Sequence, residues 1–241
     1  MFRRMGWGGI LCALALGLTA CKHAQEEEEV TPITARTKME LTDTQQQQLA
    51  DAMAKKEGGE YDQALQMFQD LLAQNNTIVT AYVGIGDIYM VKENYEKAEP
   101  AYGRAAKLEP RNFDAQYGHG LALQMLGRLV DAVKAYQRAL TIQPDNFKAN
   151  LNIATSYLQM NDPRSAIAFA EHAVDVDPSN GPARVNLGAA YEKVGRNSDA
   201  INQYLAALEL MDNSPPVMLN LINVLAQEKR YQEAANTAET L

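Results

Sequence analysis

The side chains of this 241-residue chain that could carry out chemistry are three histidines and two cysteines. A histidine acts as a general base or a metal ligand when suitable partners lie beside it. His119 stands between two glycines, but the sequence contains no H-E-x-x-H pair, no Gly-x-Ser-x-Gly and no glycine-rich phosphate loop. We therefore expect no catalytic residue, no metal site and no small-molecule substrate, and we interpret His119 as a hydrogen-bonded packing residue.

Both cysteines lie near the N-terminus, where two arginines precede an apolar run at 5–18. This run is too short to span a bilayer comfortably, and it is typical of a signal peptide. It leads into Leu18-Thr19-Ala20-Cys21, which resembles the bacterial lipobox. The resemblance implies a lipoprotein signal peptide at 1–20, cleavage between Ala20 and Cys21, and a diacylglycerol and an N-acyl chain on Cys21, with no other cofactor. An ordinary secretory signal that ends in Ala-Cys is the alternative.

The residues after the predicted cleavage site indicate where such a lipoprotein would reside. Several acyl chains on one cysteine are sufficient for stable anchoring. Lys22 stands where inner-membrane lipoproteins commonly carry Asp, so we expect an outer-membrane location on the periplasmic side. Residues 21–44 combine the lipidated cysteine with a flexible tether that includes the acidic run Glu26–Glu29 and reaches about 25 Å. Thr42 and Gln45 have the spacing of a capping box for the first helix.

The charge of the chain narrows its possible partners. Without the two arginines of the signal peptide, 20 basic residues stand against 30 acidic ones, a net charge of −10. Nucleic-acid-binding proteins usually present a basic patch, and no basic stripe with interleaved aromatic residues occurs in this chain. We therefore expect no nucleic-acid partner.

A strict internal repeat dominates the rest of the chain. Alanines recur every 34 residues, at Ala64, Ala98, Ala132, Ala166, Ala200 and Ala234. A fixed period of this length is typical of a solenoid. When each repeat is numbered from its first residue, small side chains also recur at position eight and aromatic ones at position 24, which favours two closely packed helices per repeat. Gly59, Gly127 and Gly195 suit the turn between these helices because glycine tolerates positive φ.

This pattern resembles the tetratricopeptide repeat. The resemblance implies an all-α, right-handed superhelical solenoid of six helix-turn-helix repeats over residues 45–241. The predicted repeats are 45–78, 79–112, 113–146, 147–180, 181–214 and 215–241. The resemblance also implies that the first helix of each pair lines an inner, concave face.

That face carries the predicted partner-binding groove. Its apolar members come from positions five, nine, 12 and 13 of the repeats: Leu49, Met53, Val83, Met90, Tyr117, Leu121, Met125, Leu151 and Leu158. Position-five side chains either bind a partner or pack between helices, and both interpretations are open. Position six supplies Asn152, Asn186 and Asn220, which either pair with the backbone of an extended peptide or are ordinary polar surface residues.

Six such repeats behind a lipobox resemble the outer-membrane pilotins of type IV pilus systems, including that of gliding bacteria. The resemblance implies a secretin as the protein partner, and a role in bringing the secretin to the outer membrane and promoting its multimerisation, hence in pilus-dependent motility. Two alternatives have a different partner. One is an adaptor that docks periplasmic peptidoglycan hydrolases or proteases, and the other is a permanent subunit of a barrel-assembly machine.

Overall fold

The structure, a computed structural model, describes residues 40–212 and 214–239. These residues belong to one compact unit. The predicted signal peptide, the predicted lipidation site Cys21 and most of the predicted tether lie outside the described residues, as do the last two residues of the sixth predicted repeat.

Within these residues the chain forms twelve α-helices and no β-strand, which confirms the all-α prediction. Each predicted repeat holds one pair of helices. The helices are α1 (Asp43–Glu57), α2 (Tyr61–Gln74), α3 (Val79–Val91), α4 (Tyr95–Leu108), α5 (Phe113–Met125), α6 (Leu129–Leu140), α7 (Phe147–Gln159), α8 (Pro163–Val176), α9 (Gly181–Lys193), α10 (Asn197–Leu210), α11 (Pro215–Gln227) and α12 (Tyr231–Glu239).

The predicted capping box starts the first helix. The Thr42 hydroxyl accepts a hydrogen bond from the backbone N–H of Gln45, and the Gln45 side chain accepts one from the backbone N–H of Thr42, both at 3.2 Å. Because these bonds satisfy N–H groups that the helix leaves unpaired, α1 begins at Asp43. Residues 43 and 44, which the sequence assigned to the tether, are therefore helical.

The turn within each pair uses one backbone conformation in all six repeats. Position 15 has positive φ in every repeat, with values of +76°, +73° and +79° at Gly59, Gly127 and Gly195, as the sequence predicts. The other three repeats place Glu93, Asn161 and Lys229 in the same conformation, with φ of 53°, 56° and 59°. This conformation is unfavourable for residues with a Cβ, so the even-numbered repeats carry local backbone strain.

The turn between repeats is closed by a polar pattern that follows a proline. In three repeats an asparagine caps the next first helix through its side-chain oxygen: Asn112, Asn146 and Asn180. Position four of the same helix then donates a side-chain hydrogen bond to the carbonyl oxygen of that proline, at distances of 2.9–3.1 Å. The pairs are Gln116 with Pro110, Asn150 with Pro144, and Arg184 with Pro178. Together these bonds fix the start of each new pair.

Contacts between helices identify the concave side. Each helix packs on the next one along the chain, and in addition α1 contacts α3, α3 contacts α5, α7 contacts α9 and α9 contacts α11. The second helices of successive repeats make no comparable contact within the described residues. Because the first helices lie closer to one another than the second helices do, they form the inner face of the curved stack.

Glycines and aromatic rings set the distance between the helices. The ring of Tyr102 on α4 lies between Gly86 on α3 and Gly118 on α5, and a Cβ at Gly86 would come within 2.8 Å of that ring. Gly84 faces Phe68 in the same way, and a Cβ there would come within 2.6 Å of the ring. Since real Cβ atoms essentially never approach so closely, these positions require glycine.

We expect Glu93→Gly to stabilise the protein by about 1 kcal/mol, because the left-handed conformation is unfavourable for glutamate and permitted for glycine. The reverse change at an equivalent turn, Gly127→Glu, should destabilise it by a similar amount. Urea denaturation followed by circular dichroism measures both effects. A lower denaturation midpoint for Glu93→Gly would contradict the assignment of strain.

We expect Gly118→Ala to lower the free energy of unfolding by roughly 1–3 kcal/mol, because the added methyl group would overlap the Tyr102 ring. Gly58→Ala is the matched control, since its Cβ would lie 3.4 Å from the nearest atom, the carbonyl oxygen of Ala54. Combining Gly118→Ala with Tyr102→Ala should reveal coupling, with the double variant losing less stability than the sum of the two single changes. Additive losses would show that the two residues do not contact each other.

Candidate binding groove

A cavity of about 430 Å³ opens on the concave side, lined mainly by α1, α3 and α5. Met53, Val83, Tyr117 and Leu121 supply much of its apolar lining. All four were predicted from the sequence to border the groove. Its size lies within the range of roughly 300–1,000 Å³ that is usual for ligand pockets.

Position six holds glycine in repeats two and three, and both glycines border this pocket. Gly84 and Gly118 contribute to its lining, and the ring of Tyr102 packs against the backbone of α5 at Gly118. Position six holds asparagine in repeats four to six. The pocket is therefore a feature of the first three repeats.

One wall of the pocket is a closed polar network. The Lys56 ammonium lies 2.7 Å from one carboxylate oxygen of Asp87, and the Tyr102 hydroxyl donates to the other oxygen, also at 2.7 Å. Burial raises the pKa of Tyr102 well above its usual value, and the Asp87 carboxylate raises it further. Tyr102 therefore remains a neutral donor, while Lys56 neutralises the charge of Asp87.

Asp114 gives the pocket an unpaired negative charge. It lies in the first turn of α5, is exposed and lines the cavity. Among the described residues it makes no side-chain hydrogen bond or ion pair. Lys56, Asp87 and Asp114 are the charged residues of the lining, so the pocket carries a net charge of −1.

Side chains at position five pack between helices, and those of Val83 and Tyr117 also line the pocket, so packing does not exclude contact with a partner. Leu49 and Leu151 are half-buried and pack against hydrophobic core clusters. Tyr117 stacks on Phe113 with 5.7 Å between ring centroids, while another part of it lines the pocket. Leu219, at the same position of the last repeat, is 49% exposed.

The remaining apolar members of the predicted groove lie apart from the pocket. Met90 and Leu158 are half-buried, and Met125 is 49% exposed at the end of α5. Val91, one repeat before Met125, is 60% exposed. None of these residues is part of the pocket lining.

The predicted asparagines are half-buried, and two of them bond within the protein. The Asn152 amide nitrogen donates to the hydroxyls of Tyr117 and Tyr136, at 3.1 and 3.3 Å. The Asn186 amide nitrogen donates to the hydroxyl of Thr155 at 2.9 Å. The bonds to Tyr117 and Thr155 link successive first helices, and the bond to Tyr136 reaches the second helix α6. Asn220 makes no side-chain hydrogen bond to another described residue.

His119 packs between α4 and α5 as predicted, with its Nε2 3.1 Å from a carboxylate oxygen of Glu99. Arg128 approaches the same oxygen at 3.5 Å. In the described part of the chain, no group of three or more His, Cys, Asp and Glu side chains is arranged to hold a metal ion. None of the described helices is long and apolar enough to cross a bilayer.

The polar side of the pocket was not predicted from the sequence. Asp87 and Leu121 share position nine, and Lys56 and Met90 share position 12, so the repeat register places these charged residues on the same face as the predicted apolar ones. That shared register is the signal that could have identified Lys56 and Asp87 beforehand. No comparable signal distinguishes Asp114, which lies at position two.

Comparison with known proteins identifies the repeats. A tetratricopeptide repeat model matches residues 49–106, 83–147, 151–217 and 190–240, and a second tetratricopeptide repeat model matches 123–174. No curated protein matches the chain by sequence.

Solved structures share this fold at low sequence identity. PilW, described as a widely conserved type IV pilus biogenesis factor, is 19% identical with a TM-score of 0.66, and the match covers 83% of this chain and 93% of PilW. PilF of Pseudomonas aeruginosa is 16% identical with a TM-score of 0.66, covering 82% of this chain and 90% of PilF. YrrB, described as a TPR protein with an unusual peptide-binding site, is 22% identical with a TM-score of 0.65, and the match covers 76% of this chain and 90% of YrrB.

At these identities the structural matches establish the fold alone, while the family models cover most of the described residues. The chain belongs to the tetratricopeptide repeat family, whose repeats serve as protein-interaction scaffolds.

Proposed function

We propose that this protein is a pilotin: an outer-membrane lipoprotein that binds the type IV pilus secretin through its concave groove and promotes secretin multimerisation. The observation that carries the proposal is the apolar pocket that Met53, Val83, Tyr117 and Leu121 form on the concave face. An accessible apolar pocket on a scaffold of helical repeats is suited to an exposed segment of a protein partner. The fold shared with PilW, a type IV pilus biogenesis factor, supports a pilus-related partner.

The N-terminal sequence supports the location. Cys21 follows a sequence with the order of a lipoprotein signal peptide, and Lys22 favours the outer membrane over the inner one. Acyl chains on Cys21 would hold the protein at the periplasmic side of that membrane. The repeats begin about 20 residues later, so the groove would act close to the lipid surface.

The proposed mechanism combines capture with local concentration. Monomers of a ring-forming β-rich protein expose apolar segments and strand edges until the ring closes, and such surfaces aggregate. Binding one of these segments in the groove shields it. Anchoring the groove to the membrane raises the effective concentration of captured monomers where the ring assembles.

We expect cells that lack this protein to lose SDS-resistant secretin multimers, and cells carrying Leu121→Gln to lose most of them. Leu121 lines the pocket, and replacing a central apolar contact typically weakens binding more than about ten-fold. Val130→Gln is the matched control, because it also replaces an apolar residue by glutamine. Val130 is 58% exposed on α6, a second helix, and does not line the pocket. The measurement is the ratio of secretin multimer to monomer by immunoblotting, at equal abundance of the variant proteins.

Normal multimers in the deletion strain would refute the pilotin proposal. Loss of multimers with Val130→Gln but not with Leu121→Gln would place the binding surface outside the groove. Cys21→Ala separates anchoring from binding, because it should reduce multimers in cells while purified protein still captures the secretin. Recovery of a peptidoglycan hydrolase or a protease in place of the secretin would favour the adaptor function.

A further inference from the structure

We propose that the pocket between α1, α3 and α5 recognises one particular chemical pattern: a large apolar side chain directly beside a lysine or arginine. The apolar side chain enters the cavity, and Asp114 pairs with the neighbouring cation. This inference deepens the proposed function and rests on it in one respect, that the groove binds a segment of a protein.

The charges of the pocket select a cationic neighbour. Asp87 is already occupied by Lys56 and by the Tyr102 hydroxyl, so it adds little net charge. Asp114 lines the same cavity and pairs with no other described residue. An acidic neighbour or a free C-terminal carboxylate would face this unpaired charge at close range, whereas a lysine or arginine would neutralise it.

The shape of the pocket selects a single large apolar group. Val83, Tyr117 and Leu121 supply apolar walls, and the cavity volume is about 430 Å³. Its glycine positions cannot readily change, because a Cβ at Gly84 would come within 2.6 Å of the Phe68 ring. The cavity is thus formed before the partner arrives, which reduces the entropy lost on binding.

The distance between the apolar wall and the carboxylate sets the spacing within the partner. Asp114 and Tyr117 are three residues apart on α5, and residues at this spacing are neighbours on one face of a helix. One pocket therefore presents an apolar surface and a carboxylate side by side. A segment with its apolar and basic residues adjacent in sequence fits this arrangement.

The test uses an array of synthetic 12-residue peptides of varied sequence, none taken from a secretin, probed with the full-length protein in mild detergent. Retained peptides should be enriched in Leu, Met or Phe next to Lys or Arg. Asp114→Lys should reverse the preference from basic to acidic neighbours, and Asp114→Asn should abolish it, with a loss of up to about five-fold for the basic peptides. Leu121→Gln should weaken retention of all these peptides about ten-fold or more.

Asp175→Lys is the matched control, because Asp175 is an exposed carboxylate on α8 that does not line the pocket, and it should leave the preference unchanged. An unchanged preference in Asp114→Asn and Asp114→Lys, or retained peptides without basic residues, would overturn the inference. The array contains no secretin sequence, so its outcome is independent of the multimer assay. If the deletion strain forms normal secretin multimers while the peptide array shows the apolar–basic preference, the pilotin function is refuted and the inference about the pocket stands.

Discussion

The close fit between glycine backbones and aromatic rings is the contact on which this solenoid depends. The Tyr102 ring fits between α3 and α5 because Gly86 and Gly118 have no Cβ that would overlap it. Similar contacts pair Gly120 with Tyr136 and Gly188 with Tyr204. The rings also place their hydroxyls where they bond first-helix acceptors of their own repeat: Tyr102 with Asp87, Tyr136 with Gln124, and Tyr204 with Glu192. The residue that spaces the helices therefore also builds the polar side of the concave face.

A nearly uniform backbone carries a surface that changes along its length. In the first three repeats, small residues at position six leave a cavity with a carboxylate at its edge. In repeats four and five, Asn152 and Asn186 occupy that space and donate to Tyr117, Tyr136 and Thr155. The residue at position six thus differs between the repeats that form the pocket and those that do not.

Periodicity was sufficient to predict the fold, and only part of the site. Recurrent alanines and aromatic residues predict the helix pairs, because each of these side chains must fit the same space in every repeat. The recurrent glycine in turn predicts the positive φ observed at Gly59. Glu93 adopts that conformation without a glycine to indicate it, since the surrounding turn imposes it. The register places Lys56 and Asp87 on the groove face, but neither residue recurs at its position, so the repeat does not reveal that the two side chains contact each other. The recurrence of asparagine at position six was visible in the sequence, but the hydrogen bonds of these side chains depend on which neighbours lie within reach.

The arrangement of helix contacts has a mechanical consequence. Among the described residues, most first helices of adjacent repeats contact each other and second helices make no comparable contact, so small rotations at each junction would change the curvature of the stack. Such rotations would add up along the six repeats. The width of the concave side therefore depends on these junctions, where Tyr102 packs against Gly118 and Phe68 packs against Gly84, and a partner of greater bulk would have to shift those contacts.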